Sequence, residues 1–389
     1  MSRILFITSK PYYPWEGACH RTRHSLEALV ALGYEVDILT LPTGAPPQVP
    51  GTRALFVPRV PLCRHLPEGP SLRRFALDAL MLFKAVFLAG RTPYALIHGI
   101  DDCGVIAWLA GRLTKTPHVF ERHTFAEDER VGGLRRFWLG FYRALERRAL
   151  KKSDAVIGNG PSVVSLLSAL GCRSRACVIP DIPAVTEEVS TPARNLALAR
   201  YRSSARQKLV TCVGSHTRFE GLGLFFQAIP HVLGELPDAR FVVVGGDAAE
   251  IKRMRAELAS LDIEKSVVFP GRIPPGELAA LLSISDALVS PRRAGATAPI
   301  KVLDYLHSGT PVVAVDTPAN RAVLSPENAI LTRPDPEALA RGILKLCQTP
   351  QLGSELRRHA KEALSRENHT PEAFRTALRR CYDYVLASP

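Results

Sequence analysis

None of the eight cysteines is spaced as Cys-x-x-Cys, and none gathers with histidines at a metal-ligand spacing. A disulfide framework or a zinc site is therefore not expected. Most of the thiols are flanked by apolar residues and read as reduced and buried, in a cytosolic chain. Long apolar runs are lacking as well. The longest, FALDALMLFKAVFLAG at 75–90, carries Asp78 and Lys84 and falls short of the roughly 20 residues that a membrane span needs. Near the start, RILFITSK has an apolar core of only four residues, too short for the apolar region of a secretory leader. Acid is in short supply too: 37 Asp and Glu against 50 Lys and Arg leave a formal charge of +13. Such a surplus points to an anionic partner, whether nucleic acid, a membrane surface or a phosphorylated substrate.

What is present is a globular chain long enough for two cores. Its 389 residues exceed what one core usually serves, and 46% hydrophobic residues are too many for disorder. Short apolar runs alternate with helical patterns. RILFIT, EVDILTL, TRALFVP, YALIHGI, HVFERH, DAVIGNG and ACVIPDI read as strands up to about residue 182. The alternation restarts at KLVTCVG and continues through ARFVVVGG, VVFPG, ALVSP and PVVAVD. Continuous apolar strands separated by helices predict parallel sheets covered on both faces. The expected architecture is α/β, with two doubly wound domains facing a cleft. The N-terminal domain is expected over 1–185, a linker over 186–206 where the pattern fails, and the second domain over 207–371.

Ligands of such sheets bind outside the carboxyl ends of the strands, which selects the loops to read. After the first strand, Gly17 and Ala18 open a helix, where backbone N–H groups can approach an anion; a plain surface loop fits equally well. His123 follows the strand HVFERH, at a position suited to hydrogen bonding or proton transfer near neutral pH, or to a satisfied core histidine. His98 shares that ambiguity. The Gly158 and Gly160 pair comes late in its domain and has Val163 at the third position, which argues against a dinucleotide fingerprint. Gly214 and Gly221 flank a loop with Ser215, His216 and Arg218 that can wrap a phosphate at a helix start, yet it lacks the Gly-Lys-Ser/Thr ending of a P-loop. Gly271 and Arg272 follow another strand.

SPRRAGATAPIKVLDYLHSGTPVVAV, 290–315, is the richest stretch. Arg292 or Arg293 and Lys301 bracket a turn of small residues that includes Gly295, Thr297 and Pro299. Lys301 lies at a helix start, where the helix dipole gives no reason for a cation, so a bound anion is expected there. Asp304, three residues on and on the same face, is placed to accept two hydrogen bonds from vicinal hydroxyls. The competing reading is a Lys–Asp pair on a solvated helix face.

The order and wording of these segments resemble the retaining glycosyltransferases of family four, which have the GT-B fold of two Rossmann-like domains. The resemblance covers essentially the whole chain: YYPWEGACHRTRHSLEALVALGYEVDILT, PHVFERHTF, ARFVVVGG, VVFPGRIPPGELAALLSISDALVSP and the closing SPRR…PVVAV follow in family order. It implies that a last helix, about 372–387, crosses back to the N-terminal, acceptor-side domain. It further implies a nucleoside diphosphate sugar as co-substrate, a hydroxyl acceptor, and no cofactor or metal. By resemblance His123 lies beside the transferred sugar, Asp304 at the nucleotide ribose, Arg292 and Lys301 at the diphosphate, Gly271 and Arg272 around the base, and Gly17 near the donor phosphate. Three positions depart from the family pattern. Ala296 stands where a sugar-binding Glu is usual, Ser215 where an Arg is usual, and Glu220 where a Lys is usual. Contact with the sugar through backbone or Thr297 is expected instead.

A basic segment, RRFWLGFYRALERRALKK at 135–152, reads as an interfacial helix drawn to anionic lipid, or as an ordinary helix packed on the sheet. Nucleic acid is not expected, because the charges are spread over helices rather than interleaved with aromatics on one surface. A nucleotide-sugar-binding protein with impaired catalysis is the alternative that Ala296, Ser215 and Glu220 motivate.

Overall fold

The computed structural model describes residues 2–9, 17–42, 48–59, 72–123, 134–160, 162–172, 175–184, 188–214, 220–294, 299–366 and 368–387, with backbone alone at 17–18, 72 and 134–138. The chain divides into two compact units, Met1–Asp181 with Pro371–Pro389, and Ile182–Thr370.

In the first unit the alternation runs β1 (Arg3–Ile7), α1 (Gly17–Ala31), β2 (Glu35–Thr40), β3 (Thr52–Phe56), α2 (Leu72–Arg91), β4 (Tyr94–Ile100), α3 (Asp102–Thr114), β5 (His118–Arg122), α4 (Leu134–Lys152), β6 (Ala155–Gly158), α5 (Ser162–Ala169) and β7 (Ala176–Val178). These strands form one sheet in the order β3-β2-β1-β4-β5-β6-β7. The pairing is parallel, Ile4 opposite Val36 on one side and Leu96 on the other. Ile4, Leu5, Phe6 and Ile7 are all buried, because a parallel strand with helices on both faces has no solvent side.

The second unit follows with α6 (Thr191–Tyr201), β8 (Leu209–Val213), α7 (Leu222–Glu235), β9 (Arg240–Val244), α8 (Ala248–Ser260), β10 (Val267–Gly271), α9 (Pro275–Ile284), β11 (Ala287–Ser290), α10 (Ile300–Ser308), β12 (Val312–Val315), α11 (Pro318–Arg321), β13 (Ala329–Thr332), α12 (Pro336–Gln348) and α13 (Pro350–Arg366). The sheet order is β10-β9-β8-β11-β12-β13. Its core joins Phe225, Phe226 and Phe241 to Val289, Val313 and Ile343. Truncating a phenylalanine so buried costs about 3–5 kcal/mol. The helix expected at IKVLDYLHSG ends on Gly309 in the left-handed region, φ 69°, as a glycine C-cap does.

Two boundaries differ from the sequence reading. The stretch taken as a linker, 186–206, holds α6. Ser190 caps it by accepting from Ala193 N, and Ala197 and Tyr201 are buried against β8, β9 and α9. Its polar, basic composition masked a helix with a single short apolar edge. The second unit also begins at Ile182, ahead of that stretch. The last helix, α14 (Pro371–Ala387), belongs to the first unit and packs on α1, β6 and β7.

Candidate active site

Each sheet has one place where chain order reverses direction, between β1 and β4 and between β8 and β11. The loops leaving those paired strands diverge, opening a crevice at their carboxyl ends.

In the second unit that crevice holds the described residues of the segment singled out, 290–294 and 299–304. Gly221 starts α7 with φ 72°, and a Cβ there would lie 2.1 Å from the Pro291 carbonyl oxygen. Only glycine lets the loop after β8 touch the loop after β11 so closely. Lys301, on the first turn of α10, donates to the Val213 carbonyl at 2.8 Å and pairs with the Glu220 carboxylate. Arg292 Nη1 lies 3.5 Å from the other Glu220 oxygen, and its Nε donates to the Ala294 carbonyl. Gly214 closes the group: a Cβ on it would come 3.1 Å from Glu220 Oε2 and 3.3 Å from Lys301 Nζ. Burial pulls the Lys301 ammonium down to about 8, and burial likewise lowers Arg292. The adjacent Glu220 carboxylate opposes the shift on Lys301.

Gly214, Arg292 and Lys301 are thus brought together, with Pro299 as the N-cap of α10 just before the lysine. The two cations do not bracket an open space, however, because Glu220 lies between them. Asp304 accepts from Ala184 N at 2.6 Å rather than pairing with Lys301. Gly271 ends the edge strand β10 and Arg272 follows it, with β9 between that strand and β8. Ser215, Arg218, Gly295, Ala296 and Thr297 lie outside the described residues. One contributor was not singled out in the sequence: Tyr305 is fully buried, accepts from Val213 N and donates to the Val289 carbonyl. It ties the ends of β8 and β11 across the crevice.

In the first unit, Gly17 opens α1, as the sequence suggests, and one turn in comes Arg21, 3% exposed. Arg21 pairs with Glu121 of β5, donates to Asp181 at 2.8 Å and to the Ile179 carbonyl at 2.9 Å, and lies 3.0 Å from His123 Nε2. His123 Nε2 is 2.8 Å from Glu121 Oε1, and the His123 backbone N–H donates to Asp101. Asp101 holds φ 48° and ψ −120°, a strained conformation worth about 1–3 kcal/mol for a non-glycine residue. Glu121 is buried, which by itself raises its pKa; Arg21, His123 and His98 overcome that and hold the carboxyl well below its usual range. The sequence pointed to His123 but not to Arg21, Glu121 or Asp181, whose pairings span 100 and 160 residues.

A model of the "Glycosyl transferase 4-like domain" matches residues 16–181, and one of the "Glycosyl transferases group 1" matches residues 207–349. The chain belongs to the group 1 glycosyl transferases. This group 1 glycosyl transferase is similar to alpha-monoglucosyldiacylglycerol synthase of Streptococcus pneumoniae, 28% identical over 256 residues, 63% of this chain and 57% of that relative. The chain spans 38% and 57% of the length of the first curated relatives it matches. Its fold is that of sucrose-phosphate synthase from Thermosynechococcus elongatus, with a TM-score of 0.78, 20% identity and all of both chains covered. It is also that of Anabaena HepE, a protein solved in complex with UDP-glucose, with a TM-score of 0.74, 16% identity and coverage of 98% and 99%. The fold is GT-B, two Rossmann-like units with parallel sheets.

Proposed function

We propose that this group 1 glycosyl transferase moves a sugar from a nucleoside diphosphate sugar to an acceptor hydroxyl, with retention of anomeric configuration and without a metal. The observation that carries the reading is the meeting of Arg292 and Lys301 at the reversal point of the second sheet, between β8 and β11. The UDP-glucose complex of the similarly folded HepE supports a nucleotide-sugar donor.

In the reaction the bond from the anomeric carbon to the diphosphate oxygen breaks, and a bond to the acceptor oxygen forms on the same face. The acceptor proton passes to the leaving diphosphate. The transition state is oxocarbenium-like and negative charge grows on the leaving group, so fixed cations beside it lower the barrier. Lys301 and Arg292 take that part once the diphosphate displaces Glu220 from between them. Asp304 is assigned to the ribose and His123 to the transferred sugar, by resemblance. Replacing Lys301 with Ala is expected to slow transfer more than tenfold, since removing one such donor typically costs about 10²–10³ in kcat. A loss below tenfold excludes Lys301 from leaving-group stabilisation.

The acceptor is assigned to a membrane surface. In support, α2 exposes Phe83 (71%), Phe75 and Phe87, and α4 exposes Phe141, whose ring lies 5.9 Å from that of Phe75. Lys84 and Arg91 flank Phe87, a mixture of aromatics and cations suited to an anionic interface. The relative from Streptococcus pneumoniae is named for a diacylglycerol product. Among the described residues no helix is long and apolar enough to cross a membrane.

A further inference from the structure

We propose that the first unit carries a second anion site, away from its crevice. The cleft between the carboxyl-terminal ends of α3 and α4 binds an amphiphilic phosphate ester, with its phosphate on Arg112, Arg148 and Lys152 and its apolar part on Trp108, Leu109 and Leu113. The site is independent of the donor reading, which concerns the second unit.

Those residues line a cleft of about 460 Å³, within the range of small-ligand sites. Its place follows from chain order. The helix α3 begins at Asp102, just past the carboxyl end of β4, and ends at Thr114, ahead of β5. Arg112 thus lies about 15 Å along the axis from Asp102, toward the amino edge of the sheet. The helix α4 runs in the same sense, with Arg148 and Lys152 near its end and β6 following. His123 and the crevice lie at the opposite, carboxyl edge, so this cleft is no part of the catalytic site.

Three cations converge on this cleft without a counter-ion. Arg112, Arg148 and Lys152 are exposed and form no ion pair among the described residues. The acids nearest to them in α4 and just after it are engaged elsewhere, Glu146 with Arg122 at 3.1 Å and Asp154 with His118 at 3.0 Å. A cation in the last turn of a helix gains from the dipole. That gain accounts for each charge singly. It does not account for three that meet over an apolar floor, where their mutual repulsion is offset by a bound anion.

The lining also selects the class of anion. Two guanidinium forks and an ammonium suit the several oxygens of a phosphate better than the two of a carboxylate. Trp108 is buried and Leu109 half-buried, while Leu113 of the same cleft is 68% exposed. A hydrocarbon attached to the phosphate gains by covering that surface, which inorganic phosphate leaves in water.

The test is calorimetric titration of the full chain with monomeric dihexanoyl phosphatidic acid, with dihexanoyl phosphatidylcholine and inorganic phosphate as comparisons. Saturable binding is expected, weaker as salt is raised and unaffected by UDP-, GDP- or ADP-linked sugars. Charge reversal of two cations together, Arg148→Glu with Lys152→Glu, is expected to weaken it about tenfold or more. Leu113→Asn is expected to weaken phosphatidic acid severalfold and to leave inorganic phosphate as it was. All these positions are exposed, so melting temperatures near that of the wild type are expected; Arg112→Gln gives the same reading from α3 should the double variant fail to fold. Pelleting with vesicles of phosphatidic acid in phosphatidylcholine, lost in the double variant, identifies a lipid headgroup as the source. Binding of the soluble ester without such pelleting identifies a free phosphate ester, and either result upholds the site. No saturable binding, equal binding by the double variant, equal binding of phosphatidylcholine, or displacement by a nucleotide sugar overturns it. Equal affinity for inorganic phosphate overturns the amphiphile. None of these results bears on whether a nucleotide sugar binds the second unit.

Discussion

Glu220 is the residue on which the donor site turns. Its carboxylate holds Lys301 and sits within 3.5 Å of Arg292, so it competes with the diphosphate for both cations. The Lys301 ammonium is pushed down to about 8 by burial, and a lysine with a lowered pKa loses its charge as pH rises through that value. Glu220 favours the charged form and so holds the alkaline limb of transfer up. Glu220→Gln is expected to lower the donor KM severalfold near pH 7 and to move the alkaline limb of kcat/KM to lower pH. A profile matching the wild type in both respects would make Glu220 a bystander. Lys301 and Asp304 could be read from their spacing on one predicted helix. Glu220 could not, because its partner lies 81 residues away and its charge opposes the expected ligand. Tyr305 carries no local signal, since a buried tyrosine is mostly hydrocarbon; its hydroxyl acts at the ends of β8 and β11, through Val213 N and the Val289 carbonyl.

Among the elements, α4 shows how far a local pattern reaches. Its residues were read either as an interfacial helix or as a helix on the sheet, and the described part packs into the core of its unit while leaving one aromatic exposed. Leu139, Ala149 and Leu150 are buried, the last two with Trp108 of α3, while Phe141 stays exposed beside Phe75. The side chains of Phe137 and Trp138 in the same segment lie outside the described residues. The larger exposed apolar surface is on α2, which the sequence marked only as too short and too charged to span a membrane. Sedimentation with anionic vesicles tests the assignment: wild type should pellet at low salt and be released by salt, since each Lys or Arg near the surface contributes about 1 kcal/mol that falls off within a Debye length. Phe83→Asp should reduce the pelleted fraction severalfold. Equal pelleting by the variant, or none by the wild type, removes this surface from acceptor access. The helix α6 failed to show for the converse reason: it buries little beyond Ala197 and Tyr201, too few apolar positions to set a period.

At the scale of the whole chain, both sheets were legible because buried parallel strands leave continuous apolar runs that few other structures produce. The strand order then placed the candidate residues without help from their chemistry, since a doubly wound sheet has one reversal point and ligands gather there. What no local pattern could supply were the pairings that cross each sheet, Arg21 with Glu121 and Lys301 with Glu220. The donor reading for this group 1 glycosyl transferase meets its most direct test in thermal unfolding of the wild-type chain against UDP-, GDP- and ADP-linked sugars. A ligand at 100 times its Kd adds about 2.7 kcal/mol, which is several degrees for a unit of this size. One class of nucleotide sugar is expected to raise the melting temperature by that amount, with the free nucleoside giving less. A melting temperature unmoved by every nucleotide sugar, at concentrations up to the millimolar range, would contradict the assignment.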